Sequence, residues 1–355
     1  MSSTETERVV KGLEWLSERI PYPEQAVTGD TYPMTWADDG EIYTSTGDPM
    51  WGGAWDMGMD VEKFCGYPPH YTILRPNTLP DYTGGGGAGP KPTGMLCVDK
   101  VLYLAFQNLL GRKPPAHGTK SQHGSDAQIV CSRDYGATWQ PELRGISSPM
   151  FPGHLFGGPA FINFGRDNEG ARDEYVYAVS ADQWDNGSEL RLGRAPKDQI
   201  VDSSAWQWVS SLDDIANPKW TYDLSESTPV LVNDRSISLP EMVHLKGIGR
   251  YLLLTWRLHE DYSPTAGTDL LIYESPEPWG PFSLVYYEEM WEGRHVNPYC
   301  PRLPLKWIES DGITGWLQFS GSWNSPHDRF TVYPYAVGYR PYYRSNVRRF
   351  RLLLE

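Results

Sequence analysis

The feature that most constrains this chain is a strand pair that recurs along its whole length. It occurs first at residues 30–48, folding back about Asp39-Gly40, and again at residues 93–108, 158–184, 240–259 and 298–323. An Asp-Gly step between β-rich runs is a strong hairpin signal, because the tight turn needs a positive φ that glycine adopts without strain. Each hairpin is followed by a second strand pair, clearest at residues 128–139, 190–208, 269–287 and 329–353. Four strands per unit, five times over, predict an all-β fold, a five-bladed β-propeller over residues 28–355, since radial repetition leaves only short, protected sheet edges. Residues 1–27 read instead as a short N-terminal helix and linker. Thr4 and Glu7 form a capping box, Val9, Leu13, Leu16 and Ile20 recur at helical spacing, and Pro21 and Pro23 stop the run.

Composition agrees with this reading. Charged residues make up 21% of the 355, while 35 Gly, 30 Pro, 15 Trp and 22 Tyr suit short strands, many turns and aromatic-lined surfaces. The formal net charge of −14 sets most of the surface against nucleic acid and anionic membranes, and no apolar run approaches a membrane span. A neutral polysaccharide or oligosaccharide is the better-matched partner. Cys65, Cys97, Cys131 and Cys300 lack metal-site spacing and read as free thiols. The first residues carry no secretory signal, which fits a cytoplasmic protein or a secreted one whose signal has been removed. The Gly84–Gly87 run lacks the Gly-Lys-Ser/Thr and helix of a phosphate loop and reads as a connector.

Residues 132–139, Ser-Arg-Asp-Tyr-Gly-Ala-Thr-Trp, match the Asp-box pattern S-x-D-x-G-x-T-W of propeller blades in sialidases and their relatives. Its expected role is structural. Ser132 and Asp134 bond turn amides, Gly136 takes a positive φ, and Trp139 packs beneath.

In a propeller the first strand of each blade lines the axis, so equivalent hairpin ends converge on one mouth. Those ends carry Asp30 and Asp48 in the first unit, Asp182, Trp184 and Asp185 in the third, Glu241 and His259 in the fourth, and Tyr299 and Trp323 in the fifth. The second offers Gln107 and Asn108, with His117 and His123 in the loop beyond. Facing carboxyls walled by aromatics are the equipment of a glycoside hydrolase: one carboxylic acid protonates the leaving oxygen, and one carboxylate attacks or activates water. Asp30, Asp48, Glu241 and Asp182 are the catalytic candidates; Trp184, His259, Tyr299, Trp323 and His123 are the substrate-contacting ones. No catalytic metal and no organic cofactor is expected, although the acids leave room for a structural Ca²⁺ on the axis.

The segments DTYPMTWADDGEIYTSTGD, YVYAVSADQW, ELRLGRAPKDQI, GRYLLLTW, LLIYESPEPWGPFSLVYY and LKWIESDG resemble the former domain-of-unknown-function family 4185, endo-D-arabinanases of glycoside hydrolase family 183 that act on mycobacterial arabinan. The resemblance spans residues 28–323 and implies kinship of architecture with the five-bladed furanosidase propellers. In those, a first-blade Asp is base or nucleophile, a middle Asp tunes its partners, and a later Glu is the general acid. Asp30, Asp182 and Glu241 match these positions. The Asp-Pro dipeptide that opens the first blade in those enzymes is Asp30-Thr31 here, with Asp48-Pro49 on the far strand. Either aspartate can therefore be the base, and an acid–base pair within the one blade is the alternative assignment. A polysaccharide lyase would need a basic rim, and a purely glycan-binding propeller would repeat one site around the ring. Neither pattern is seen in the hairpin ends.

Overall fold

The computed structural model describes residues 9–24, 27–51, 54–55, 58–83, 89–111, 124–142, 146–259, 267–293, 297–321 and 342–355. Among them there is no α-helix: the chain is all-β, with a few short 3-10 turns. After β1 (Val10–Trp15) and β2 (Ile20–Pro21) comes a first antiparallel group: β3 (Val27–Asp30), β4 (Met34–Trp36), β5 (Ile42–Trp51), β6 (Ala54–Trp55), β7 (Gly58–Tyr67) and β8 (His70–Thr83). The second group is β9 (Lys91–Val98), β10 (Val101–Gln107) and β11 (Gln128–Ser132). A third contains β12 (Ala160–Asn163), β13 (Tyr175–Ala181), β14 (Gly187–Pro196), β15 (Gln207–Ser211), β16 (Lys219–Thr221) and β17 (Leu231–Ile237). The fourth is β18 (Glu241–Leu245), β19 (Arg250–Leu258), β20 (Thr268–Ser275) and β21 (Ser283–Glu288). The last is β22 (Pro298–Arg302), β23 (Thr314–Gly321) and β24 (Asn346–Leu354).

The groups meet in chain order. β5 lies against β9, β9 against β12, β12 against β18, β18 against β22, and β23 against β3, so the contacts close on themselves. At one seam the first strands pair directly, β12 running parallel to β18 with Ile162 opposite Met242. β9, β12 and β22 are buried at every position, as expected of strands covered on both faces. In the first group this innermost run is broken. β3 and β4 both pair with β5, but Thr31, Tyr32 and Pro33 interrupt the ladder between them. The hairpin turn is as the sequence implied: Gly40 has φ +86°, and Ala37 N–H donates to the Glu41 carbonyl at 2.9 Å.

The N-terminal helix is corrected. Residues 10–15 form β1, antiparallel to the C-terminal strand β24, so the two ends of the chain share one sheet. Val10 and Leu13 are three apart, which reads as helical. A bulge between Val10 and Gly12 shifts the register and turns both side chains to the same buried face instead. Pairing with β24 supplies hydrogen bonds and a core (Leu252, Leu317, Phe350, Leu352) that an isolated helix could not reach. The proposed capping residues Thr4 and Glu7 lie outside the described residues.

The Asp-box is a structural turn. Ser132 Oγ donates to Asp134 Oδ1 at 2.7 Å and accepts from Gly136 N–H at 2.8 Å. Thr138 N–H donates to the same Asp134 oxygen at 2.8 Å, and Trp139 lies buried below.

If β1 closes the sheet as described, Leu13→Ala should destabilise the fold by about 2 kcal/mol or more, the range for truncating a buried leucine. Urea unfolding measures this; a loss under about 0.5 kcal/mol, normal for a surface position, would contradict the assignment.

Candidate active site

Asp30 ends β3 and faces Gly47 of β5, with Asp48 next along the same strand. Both aspartates are almost wholly buried, at 6% and 7% exposure. Alternation along a strand would send Gly47 and Asp48 to opposite faces, but Asp48 has φ +43°, a left-handed conformation that breaks the alternation. The absent side chain at Gly47 matters equally: a Cβ there would collide with Asp30 Oδ1 and press on Lys91. Lys91, the first residue of β9, is buried and places its ammonium 3.2 Å from Asp48 Oδ1. From the fifth group, Tyr299 donates its hydroxyl to Asp30 Oδ2 at 2.8 Å. Three strand groups thus meet on two carboxyls.

The surroundings favour a proton on Asp30. Burial is the chief cause and the neighbouring Asp48 charge the second, pushing the Asp30 pKa up to about 7 against the opposing pull of the Tyr299 hydrogen bond and the Lys91 charge. Cys300, two residues before Arg302, is wholly buried. Burial pushes its thiol upward, opposed by the Arg302 charge and aided by the nearby acids Asp30 and Glu241, so it is a neutral group and not a nucleophile.

Glu241 opens β18 and is also buried. Its Oε2 lies 3.2 Å from Arg302 Nη1, and its Oε1 accepts the Leu303 N–H at 3.1 Å. Burial raises its pKa, opposed by the Arg302 charge and these hydrogen bonds. Arg302 is fully buried and also donates from Nε to the Thr31 carbonyl at 2.8 Å, next to Asp30. Asp30, Asp48, Glu241 and Tyr299 therefore belong to one cluster, linked through Lys91 and Arg302.

The other sequence candidates make contacts of their own. Asp182 accepts the Ser188 and Glu189 N–H groups at 2.8 and 3.2 Å, shaping the turn into β14. Trp184 is 1% exposed and packs edge-on against Trp256, which in turn contacts Tyr299, so its ring backs the site's wall. His259 bonds Asp269, an acid also held by Arg257 and Tyr287, among the strands farther from the ring's centre. His123 and Trp323 lie outside the described residues. No group of three or more His, Cys, Asp or Glu is placed to hold a metal among the described residues. Sequence reasoning missed Lys91 and Arg302. The available signal was a cation at the end of a strand that is otherwise fully covered.

No family model matches the chain, and no curated protein matches it in sequence. Solved structures do match nearly its whole length. A candidate hydrolase of Bacteroides ovatus is similar with a TM-score of 0.54 at 13% identity, over 94% of this chain and 87% of the other. The catalytic domain of a family 62 α-L-arabinofuranosidase from Coprinopsis cinerea gives 0.50 at 12% identity, over 96% and 98%. A protein of unknown function from Dyadobacter fermentans gives 0.50 at 10%, over 97% and 100%. At this identity the likeness is one of fold.

The Asp30 environment sets a pH dependence of stability. Its folded pKa, about 7, lies above the ordinary 3.8, so between those values the native state binds the extra proton and stability falls as pH rises, by an amount on the order of 4 kcal/mol. Asp30→Asn removes that titration. Its stability relative to the parent should climb between pH 4 and pH 8 in chemical unfolding; a difference that stays constant across that range would contradict the buried-proton account.

Proposed function

We propose that the five strand groups are the blades of a β-propeller and that the chain is a glycoside hydrolase cleaving D-arabinofuranosidic links in a neutral arabinan. The observation that carries this reading is the Asp30–Asp48 pair: two buried carboxyls on adjacent strands, one holding a proton near neutral pH and the other facing an ammonium. Asp30 is the general acid, protonating the glycosidic oxygen as the bond breaks. Asp48 is the carboxylate that meets the anomeric carbon, directly or through water, and Lys91 balances its charge before the oxocarbenium-like transition state forms. This is the within-blade assignment. It is favoured over Glu241 because both Glu241 oxygens are already committed to Arg302 and Leu303.

The substrate class rests on the resemblance of the quoted segments to the endo-D-arabinanases, and the fold likeness to an arabinofuranosidase domain supports the furanoside part of it. Release of reducing ends from D-arabinan, without a new ultraviolet-absorbing double bond, separates this reading from a lyase and from a glycan-binding propeller. Asp30→Asn and Asp48→Asn should each lower that activity by about 100-fold or more, the ordinary worth of a positioned acid or base. Either variant within a few-fold of the parent would remove that residue from the mechanism.

The acid role also fixes a pH profile. Activity needs Asp30 protonated, so kcat/KM should fall as pH rises through its pKa near 7. The Tyr299 hydroxyl stabilises the ionised form and lowers that pKa. Tyr299→Phe should therefore move the alkaline limb to higher pH, and an unmoved or lowered limb would assign the limb to another group.

A further inference from the structure

The segment that carries Asp30 has a costly backbone. Thr31 and Tyr32 follow it with φ of +66° and +44°, two consecutive side-chain-bearing residues in the left-handed region. One is β-branched and the other bulky, and each such residue costs roughly 1–2 kcal/mol. Tyr32 N–H reaches back to the Asp30 carbonyl at 2.8 Å, so the chain makes a tight reverse step immediately after the proposed acid. Conformations of this kind persist only where the surroundings hold them.

What holds this one comes from the fourth and fifth groups. The Arg302 guanidinium, at the end of β22, donates from Nε to the Thr31 carbonyl at 2.8 Å and from Nη1 to the Pro240 carbonyl at 3.0 Å and Glu241 Oε2 at 3.2 Å. Glu241 is held in turn by the Leu303 amide at 3.1 Å. One ion pair thus ties the first, fourth and fifth groups at the level of Asp30. Glu241 has two opposed influences: burial favours its neutral form, and the guanidinium favours the carboxylate. A neutral Glu241 would leave a wholly buried guanidinium without a counter-charge, which costs several kcal/mol, so the pair is ionic.

We infer that Arg302 is the positioning residue for Asp30: oriented by Glu241, it fixes the Thr31 peptide and so aims the Asp30 carboxyl at Tyr299 and Asp48, while Glu241 serves as its counter-charge and donates no proton. The inference rests on the proposed roles of Asp30 and Asp48. A planar fork is what the position requires, because the bond to Thr31 comes from Nε while those to Pro240 and Glu241 come from Nη1, two nitrogens held at a fixed angle, and a lysine ammonium cannot span them.

The test compares Arg302→Lys and Glu241→Gln with the parent and with Asp30→Asn, using D-arabinan and an arabino-oligosaccharide with a nitrophenolate leaving group. Arg302→Lys should keep KM within about two-fold and lower kcat by roughly 10- to 100-fold, the effect of misplacing a reacting group. It should also shift the alkaline limb of kcat/KM, because the contacts of Asp30 with Tyr299 and Asp48 change. A lowered melting temperature with unchanged kcat and limb would make the ion pair merely structural and overturn the inference. Glu241→Gln should lose more on D-arabinan than on the nitrophenolate substrate, because it acts through the acid Asp30, and should keep an alkaline limb, shifted as in Arg302→Lys. Disappearance of that limb in Glu241→Gln, beside an Asp30→Asn loss that is equal on both substrates, would make Glu241 the general acid, and this comparison decides the matter even if Arg302→Lys does not fold. Asp30→Asn separates the two levels: if it is active, the proposed roles fail and the inference with them, whereas an inactive Asp30→Asn beside a fully active Arg302→Lys overturns the inference alone.

Discussion

Two carboxyl groups forced together out of water are the constraint on which this structure turns. Asp30 and Asp48 would repel each other if both were ionised, and burial removes the solvent that could screen them. The fold answers with a proton near neutral pH on one and an ammonium beside the other. Everything next to the pair serves that division. Gly47 makes room for the Asp30 carboxyl, the left-handed Asp48 turns the second carboxyl to the same side, and Tyr299 and Lys91 temper the proton affinity. An acid with a proton and a carboxylate without one, within one strand pair, is the asymmetry that glycoside hydrolysis uses.

The ring makes such a cluster possible. No single sheet could bring Lys91 from β9, Arg302 from β22 and Glu241 from β18 to the side of one hairpin. Successive groups packed around a common centre do so, because each contributes the residues of its first strand. Closure of the ring matters for the same reason. β1 completes the sheet of β24, β23 and β22, so the strand that carries Tyr299 and Arg302 is anchored by both ends of the chain. Stability at the periphery is thereby coupled to geometry at the centre.

Local signals in the sequence were read well, and contacts across the ring were not. The Asp39-Gly40 turn sets the β4–β5 register and leaves Asp30 one residue from facing Asp48, and the Asp-box of residues 132–139 specified its own hydrogen bonds. The helix at residues 9–20 failed because a bulge gives a strand the same three-residue spacing between buried side chains, and the deciding partner, β24, lies at the other end of the chain. Asp182 reads as a site acid in the sequence, and in the fold its Oδ1 also accepts the amides six and seven residues on. Glu241 was legible as a buried strand-opening acid; the guanidinium 61 residues away that defines its charge was not. Lys91 stands out only as a cation in a mostly apolar strand, and acquires meaning where β9 passes Asp48.

The central claim, that Asp30 keeps its proton to near neutral pH because it is buried, with the Asp48 charge beside it adding to the effect, is open to direct titration. Carboxyl ¹³C shifts of aspartate-labelled protein, with Asp30 assigned by its loss in Asp30→Asn, report that ionisation without any substrate. The account predicts a midpoint near 7 for Asp30 and a lower one in Asp48→Asn, where the second charge is gone, still above the ordinary carboxylate range because burial remains. A midpoint near the ordinary value of about 4, indifferent to Asp48, would contradict it.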